Sequence, residues 1–337
     1  LTVLDVHERR RWRMDIPVDF FRDRHVRHDR CGYTCTVDLE WYERYSEGAH
    51  GCPGCDARAE FGDALQFSGD PADPVLEDQF ATEVTWFHSS TNQDWPNPVD
   101  FSSKLTDETR QMMGEESAVR WAHRQSIKAP HIGTYESAVH NMLRRMSDQG
   151  GKGEQFYLYG VRLRPDVAIQ PGSTIDPTSS FGDVWLDEIA TPETDVVRYV
   201  NVHEDPGGLS AAVRPSAIAA VQCVPIPLAT ADDDPWVVET AAALQSAPIE
   251  LQPLPAELSR FPFLYRETHR AKAARETAEA LASSLPATMQ RQFESAVRWE
   301  DGEDPTGWAR RLRSLVALVE DPERVLDKLA ARPVREL

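Results

Sequence analysis

Positive charge is scarce in this chain. Against 55 acidic residues stand 36 Lys and Arg, a net charge of −19. Non-specific affinity for nucleic acid or an anionic membrane grows with clustered Lys and Arg, so the overall balance disfavours both. Long apolar runs are missing too. No stretch approaches the roughly 20 residues of a membrane span, and no membrane partner is expected. Leu1 to Arg13 ends in Arg9-Arg10-Arg11-Trp12-Arg13 without the apolar segment of a secretory signal, so a cytoplasmic chain is the expectation. Neither G-x-G-x-x-G nor the P-loop pattern occurs, which leaves hydride transfer and P-loop NTP hydrolysis without support. What is present, 41% apolar residues and nine tryptophans in 337 positions, suffices for a buried core and two or three domains.

Cysteine is also sparse, but four of the five fall together, as Cys31-Gly32-Tyr33-Thr34-Cys35 and Cys52-Pro53-Gly54-Cys55. Two short cysteine turns joined by a hairpin-sized insert suit a zinc ribbon, in which each turn offers two thiolates to one tetrahedral ion. Cys31, Cys35, Cys52 and Cys55 are the expected ligands, and His28 or His50 can replace one of them. Such a closed site is structural, not catalytic. The insert Thr36 to Tyr42 alternates as a strand does. Disulfides are disfavoured by the absence of an export signal. The cytidine-deaminase order, H-x-E followed by P-C-x-x-C, fails because the second cysteine turn reads Cys52-Pro53-Gly54-Cys55 and Glu8 directly follows His7.

Residues 1–75 form an arginine-rich arm and the cysteine module, closed by the turn-rich break Gly69 to Pro74. Residues 76–228 mix strands and helices. Val84 to His88, Gln155 to Leu163, Val196 to Val202 and Ile218 to Val224 have strand character. Asp107 to Arg124 and Tyr135 to Met146 have helical spacing, the latter with an N-terminal cap at Thr134. Strands outnumber helices and do not alternate regularly with them, so the fold class expected is α+β, not a doubly wound sheet. Residues 229–262 are acidic and Pro-rich, the composition of a linker. Residues 263–337 read as three helices, around Ala274, Leu312 and Leu326, and no internal repeat is apparent.

Three strand ends bear chemistry. Trp86-Phe87-His88-Ser89-Ser90-Thr91 and Pro130-His131-Ile132-Gly133-Thr134-Tyr135 each present a histidine. Val196 to Val202 runs into His203-Glu204-Asp205-Pro206-Gly207-Gly208, which holds Glu204 at the end of a stiff strand, beside glycines that let a ligand approach the backbone. This order resembles the ADP-ribosyltransferase superfamily, in particular the histidine-type branch shared by diphtheria-toxin-like enzymes and poly(ADP-ribose) polymerases. The resemblance runs from Thr85 to Pro225.

It implies a strand-rich ADP-ribosyltransferase-like core that uses NAD as substrate. Glu204 and His88 would be catalytic, and His88, Ser89, His131, Gly133, Thr134 and Tyr135 would hold NAD. Which histidine grips NAD stays open, as does the choice of Tyr157 or Tyr159 as the stacking ring. The chemistry suits these residue types. Breaking the nicotinamide–ribose bond develops positive charge on the sugar, and a fixed carboxylate stabilises it. ADP-ribose would pass to a macromolecular acceptor, protein or nucleic acid, whose identity the sequence leaves open. Two further possibilities share the pattern: a zinc-containing binding protein with an inactive core, or another NAD-using enzyme, performing NAD hydrolysis or RNA 2′-phosphotransfer.

Overall fold

The computed structural model describes residues 16–59, 65–97, 99–148, 154–177, 183–228, 234–252 and 267–337. The arm Arg9 to Arg13 and the acidic pair Asp232-Asp233 lie outside them. In chain order the elements begin β1 (Arg24–His28), β2 (Thr34–Val37), α1 (Leu39–Ser46), β3 (Leu65–Phe67), α2 (Asp78–Glu83) and β4 (Trp86–Ser90). Next come α3 (Asp107–Met113), α4 (Glu115–Ser126), β5 (His131–Ile132), α5 (Tyr135–Asp148), β6 (Phe156–Leu163) and β7 (Thr174–Ile175). Then follow α6 (Leu186–Ile189), β8 (Val196–Val200), β9 (Leu209–Val213) and β10 (Ile218–Ile226). The chain closes with α7 (Pro235–Ser246), α8 (His269–Ala282), α9 (Ala287–Ala296), α10 (Pro305–Glu320), α11 (Pro322–Ala330) and β11 (Arg335–Glu336). The class is α+β, as expected. No described helix is long and apolar enough to cross a membrane.

The chain divides into two compact units, one from Leu1–Val139, Phe156–Val224 and Lys328–Leu337, the other from His140–Gln155 and Pro225–Asp327. Among the described residues the first holds three sheets, with strand orders β2-β1-β3, β11-β10-β6-β4 and β5-β9-β8-β7. Residues of the two four-stranded sheets share one core: Trp86, Tyr159 and Val161 from one, Val196, Val200, Leu209 and Ala211 from the other. The period-two alternation of a strand then sends Val197, Tyr199 and Ala212 to the opposite face, where they pack on Ala129, Val184 and Leu186. β8 is buried along its whole length, including Arg198. That guanidinium is satisfied by Asp78 at 2.7 Å and by the Val75 and Leu76 carbonyls at 2.9 and 2.6 Å, so its burial leaves no bare charge.

Several local expectations change. The run Thr36 to Tyr42 is a strand only to Val37. Asp38 then caps α1, its carboxylate accepting from Trp41 N at 2.6 Å, and this N-cap overrides the alternating pattern. Asp107 to Arg124 is two helices, broken at Gly114, whose φ of 78° lies in the left-handed region. In the second unit, the stretch with linker composition contains α7, which buries Val237, Ala241 and Leu244 and lies against α8 and α10. Asp234 caps it and Pro235 opens it, so residues that look like linker punctuation are helix-start signals. α10 buries Trp308, Leu312, Leu315 and Val319 at helical spacing, in line with the periodicity. The C-terminus is not wholly helical, since β11 pairs antiparallel with β10.

Candidate functional site

Two features carry chemistry, and both belong to the first unit. The first is a metal-ligand cluster. β1 ends at the fully buried His28, and Gly32 N donates back to the His28 carbonyl at 2.8 Å, folding Cys31 over the imidazole. A second turn repeats the device, with Asp56 N donating to the Cys52 carbonyl at 2.7 Å and Cys55 N at 3.2 Å. The ligand atoms of His28, Cys31, Cys52 and Cys55 all lie within 4.8 Å of one another.

Within the cluster, Cys31 Sγ–Cys52 Sγ is 3.8 Å, His28 Nδ1–Cys31 Sγ 3.2 Å and Cys55 Sγ–His28 Nδ1 3.5 Å. A tetrahedral ion with metal–sulfur bonds of about 2.3 Å and a metal–nitrogen bond of about 2.0 Å separates its ligands by about 3.5–3.8 Å. The sulfur spacing fits that shell and is too long for a disulfide, whose sulfurs sit about 2.0 Å apart. Gly54 N also points at Cys52 Sγ, 3.4 Å away. These four residues could hold a metal ion.

Cys35 is not one of them. It lies on β2 opposite Val26 and packs against the small core of Val26, Tyr45, Cys52 and Leu65. A three-residue gap carries the chain beyond the turn and into the strand, whereas the two-residue gap of His28-x-x-Cys31 matches that of Cys52-x-x-Cys55. This repeated x2 spacing is the signal that a count of cysteines alone overlooks. His50, the other alternative, stacks on Trp41 with a 7° interplanar angle.

The second feature joins the three strand-end motifs. β4 and β5 are bridged by reciprocal bonds: Phe87 N donates to Gly133 O at 2.8 Å and Gly133 N to Phe87 O at 2.9 Å. β5 pairs with β9 and β9 with β8, so Glu204, just past β8, comes to the same end of the sheet. From His131 a run of polar contacts reaches it. His131 Nδ1 and the Tyr199 hydroxyl share a hydrogen bond at 2.8 Å, and Tyr199 also meets Ser210. Asn201 Nδ2 then donates to Ser210 Oγ at 3.3 Å and to Glu204 Oε2 at 3.2 Å. The Asn201 side-chain Oδ1 accepts from the backbone N–H groups of His203, Glu204 and Asp205 at 2.9, 2.8 and 3.2 Å, which fixes the loop bearing the glutamate.

Burial pushes the His131 imidazole below its ordinary value, against the opposing pull of Asp176, Glu204 and Asp183, so the ring is neutral at pH 7. Burial likewise keeps the Tyr199 phenol protonated. The Nε2 of His131 is buried and has no hydrogen-bond partner among the described residues. Gly133 is where Ser137 and Ser210 converge, and a Cβ there would stand 2.6 Å from Ser210 Oγ and collide with Ser137 Oγ. No protein-family model, curated protein or solved structure matches this chain.

The remaining candidates fall into place around this line. His88 donates from Nδ1 to the His131 carbonyl at 2.6 Å and stacks on Trp95, with centroids 4.1 Å apart. Ser89 is buried and, one residue on in the strand, faces away from His88. Thr134 caps α5, accepting from Ser137 N at 3.0 Å. Tyr135 is core, its ring edge-on to Phe20 and Phe87. Tyr159 donates its hydroxyl hydrogen to the Asn92 carbonyl and lies beside Trp95. Tyr199, Asn201 and Ser210 escaped the sequence reading. An asparagine three residues before a turn-entering carboxylate is an Asx-turn signal for one of them. The other two are visible only once β8 and β9 pair.

Asp205, next to Glu204, serves the fold instead. Its carboxylate, 1% exposed, accepts from Thr134 Oγ1 at 2.7 Å, from Arg22 Nη2 at 2.6 and 2.7 Å, and from Arg24 Nη2 at 3.2 Å. Gly208 serves this ion cluster, because a Cβ there would run into the Asp205 carboxylate and lie 2.7 Å from Arg22 Nη2. Beyond this cluster opens a cavity of about 250 Å³, lined by Thr134, Tyr135 and Gly207 among others, but not by His88, His131 or Glu204.

Proposed function

We propose that the chain is an NAD-consuming ADP-ribosyltransferase in which Glu204 steadies the ribosyl cation and His131 grips the nucleotide. The observation that carries this reading is the polar line from His131 through Tyr199, Ser210 and Asn201 to Glu204. It places a neutral imidazole, a protonated phenol and a loop-fixed carboxylate in one hydrogen-bonded arrangement. Oxocarbenium chemistry uses these groups: donors to hold ribose or amide oxygens, and one anion near the anomeric carbon. In the reaction the bond from ribose C1′ to the nicotinamide nitrogen breaks and neutral nicotinamide leaves with the electron pair. An acceptor nucleophile then bonds to C1′ and loses its proton. His88, bonded to the His131 carbonyl, positions that strand end. The four-residue cluster of His28, Cys31, Cys52 and Cys55 suits zinc, which would close the module around β1 structurally.

The test is nicotinamide release from labelled NAD in the presence of a cell lysate as acceptor source, for the wild type and Glu204→Gln. The variant is expected to lose on the order of 100-fold in turnover, with little change in NAD affinity, because the interaction it removes is strongest in the transition state. A wild-type protein that releases no nicotinamide, or a variant that matches it, rejects the assignment.

A further inference from the structure

The cavity beside Thr134 is left unused by that reading, and its walls have a chemistry of their own. Its floor is apolar, formed by Val75, Val84, Phe87 and Tyr135. Four carboxyls, Asp23, Asp70, Asp73 and Glu136, line it against two arginines, Arg22 and Arg24. Both arginines are engaged by Asp205, and Arg22 also stands 3.6 Å from Glu136, but the four lining carboxyls and Asp205 outnumber the two arginines, so the face offered to a ligand is acidic.

Two of its lining residues also carry buried polar atoms without partners. Among the described residues, Thr85, 6% exposed, has no bond to its Oγ1, and Arg24, 3% exposed, has none to its Nε. Orphaned buried donors are uncommon in folded proteins, because leaving them unmade is costly. Both residues line the cavity, where acceptor atoms of a ligand can meet them.

We propose that this cavity binds a small organic cation bearing a neutral hydrogen-bond acceptor, in the class of lysine and arginine amides. The ammonium or guanidinium sits against Asp73 and Glu136, the alkyl chain lies on the apolar floor, and the amide oxygen meets Thr85 and Arg24. Size agrees. Pockets for drug-sized ligands run from about 300 to 1,000 Å³, so a space of about 250 Å³ takes a side-chain-sized fragment and not a dinucleotide. Burial also holds the Glu136 and Asp73 carboxyls above their ordinary range, despite Arg22 nearby. A cation at that wall draws them back to the ionised form. The site requires no NAD turnover and stands apart from the preceding assignment.

The experiment is isothermal titration of the full chain with N-acetyl-arginine amide, N-acetyl-lysine amide and the uncharged N-acetyl-norleucine amide. It is repeated on Thr85→Val and Glu136→Gln, with folding checked by thermal melting. At least one cationic amide binds, norleucine amide binds about tenfold more weakly or not at all, and each folded variant loses about tenfold in affinity. Absence of binding by both cationic amides at millimolar concentration overturns the proposal. So does equal binding of norleucine amide, or a folded Thr85→Val protein with unchanged affinity. Should Thr85→Val fail to fold, the charge comparison and Glu136→Gln decide.

Discussion

Replacing His28 and replacing Cys35 should have opposite consequences for metal content, although a pattern of four cysteines implies the reverse. His28 is fully buried and its Nδ1 stands 3.2 and 3.5 Å from the sulfurs of Cys31 and Cys55. Cys35 lies on β2, outside the cluster. Structural zinc sites bind with about 10–16 kcal/mol, so one ligand of four carries about 3 kcal/mol, on the order of a 100-fold loss in affinity. His28→Ala also leaves a void in the module, whose core consists of little more than Val26, Val37, Tyr45, Cys52 and Leu65. So small a cluster gains stability from a metal that cross-links its two turns. Elemental analysis after dialysis against a mild chelator should find about one zinc per chain in the wild type and in Cys35→Ser, and far less in His28→Ala. Melting should show the same ranking, with His28→Ala lowest and insensitive to added zinc. Retention of zinc by His28→Ala, with its loss from Cys35→Ser, would refute the reasoning at its base.

Two further outcomes concern the core. His131 titrates in the folded protein below its ordinary value of 6.5. The unfolded chain therefore takes up that proton first. Stability from this group is full above about pH 6.5 and declines as the pH falls through that value, until the folded form titrates as well. Melting temperature against pH should accordingly be steeper for the wild type than for His131→Gln between about pH 7 and 5, and parallel curves would contradict the assignment. Asp205→Ala strands the buried Arg24 and the half-buried Arg22 without their shared carboxylate. Removing one partner of such a buried pair costs about 3–5 kcal/mol. Urea unfolding measures this directly, and a loss under about 1 kcal/mol would mean that the arginines find other partners.

Much of the architecture was legible from pattern. The helix from Tyr135, its cap at Thr134, the strands β6, β8 and β10 and the periodicity of α10 all follow from spacing, because local sterics and the burial of one face dictate them. The strand expected across Thr36 to Tyr42 failed because a single carboxylate, Asp38, supplied a cap that two-residue alternation does not register. The linker or wrapping composition of residues 229–262 concealed a helix for a related reason. Asp234 and Pro235 mark helix starts as readily as loops, and the apolar residues after them decide which.

By itself, then, the sequence determined the fold class, most of the regular elements and the presence of two paired ligand turns. These depend on residues near one another along the chain. Tertiary structure alone decided that His28 and not Cys35 completes the ligand cluster, since strand alternation and turn closure set which side chains meet. It also separated two neighbours, turning Glu204 toward Asn201 and Asp205 toward Arg22 and Arg24. The line from His131 to Glu204 likewise required β5, β9 and β8 to pair in their observed register. A one-residue slip would have sent Tyr199 to the other face of the sheet, and no local property of the chain records which register wins.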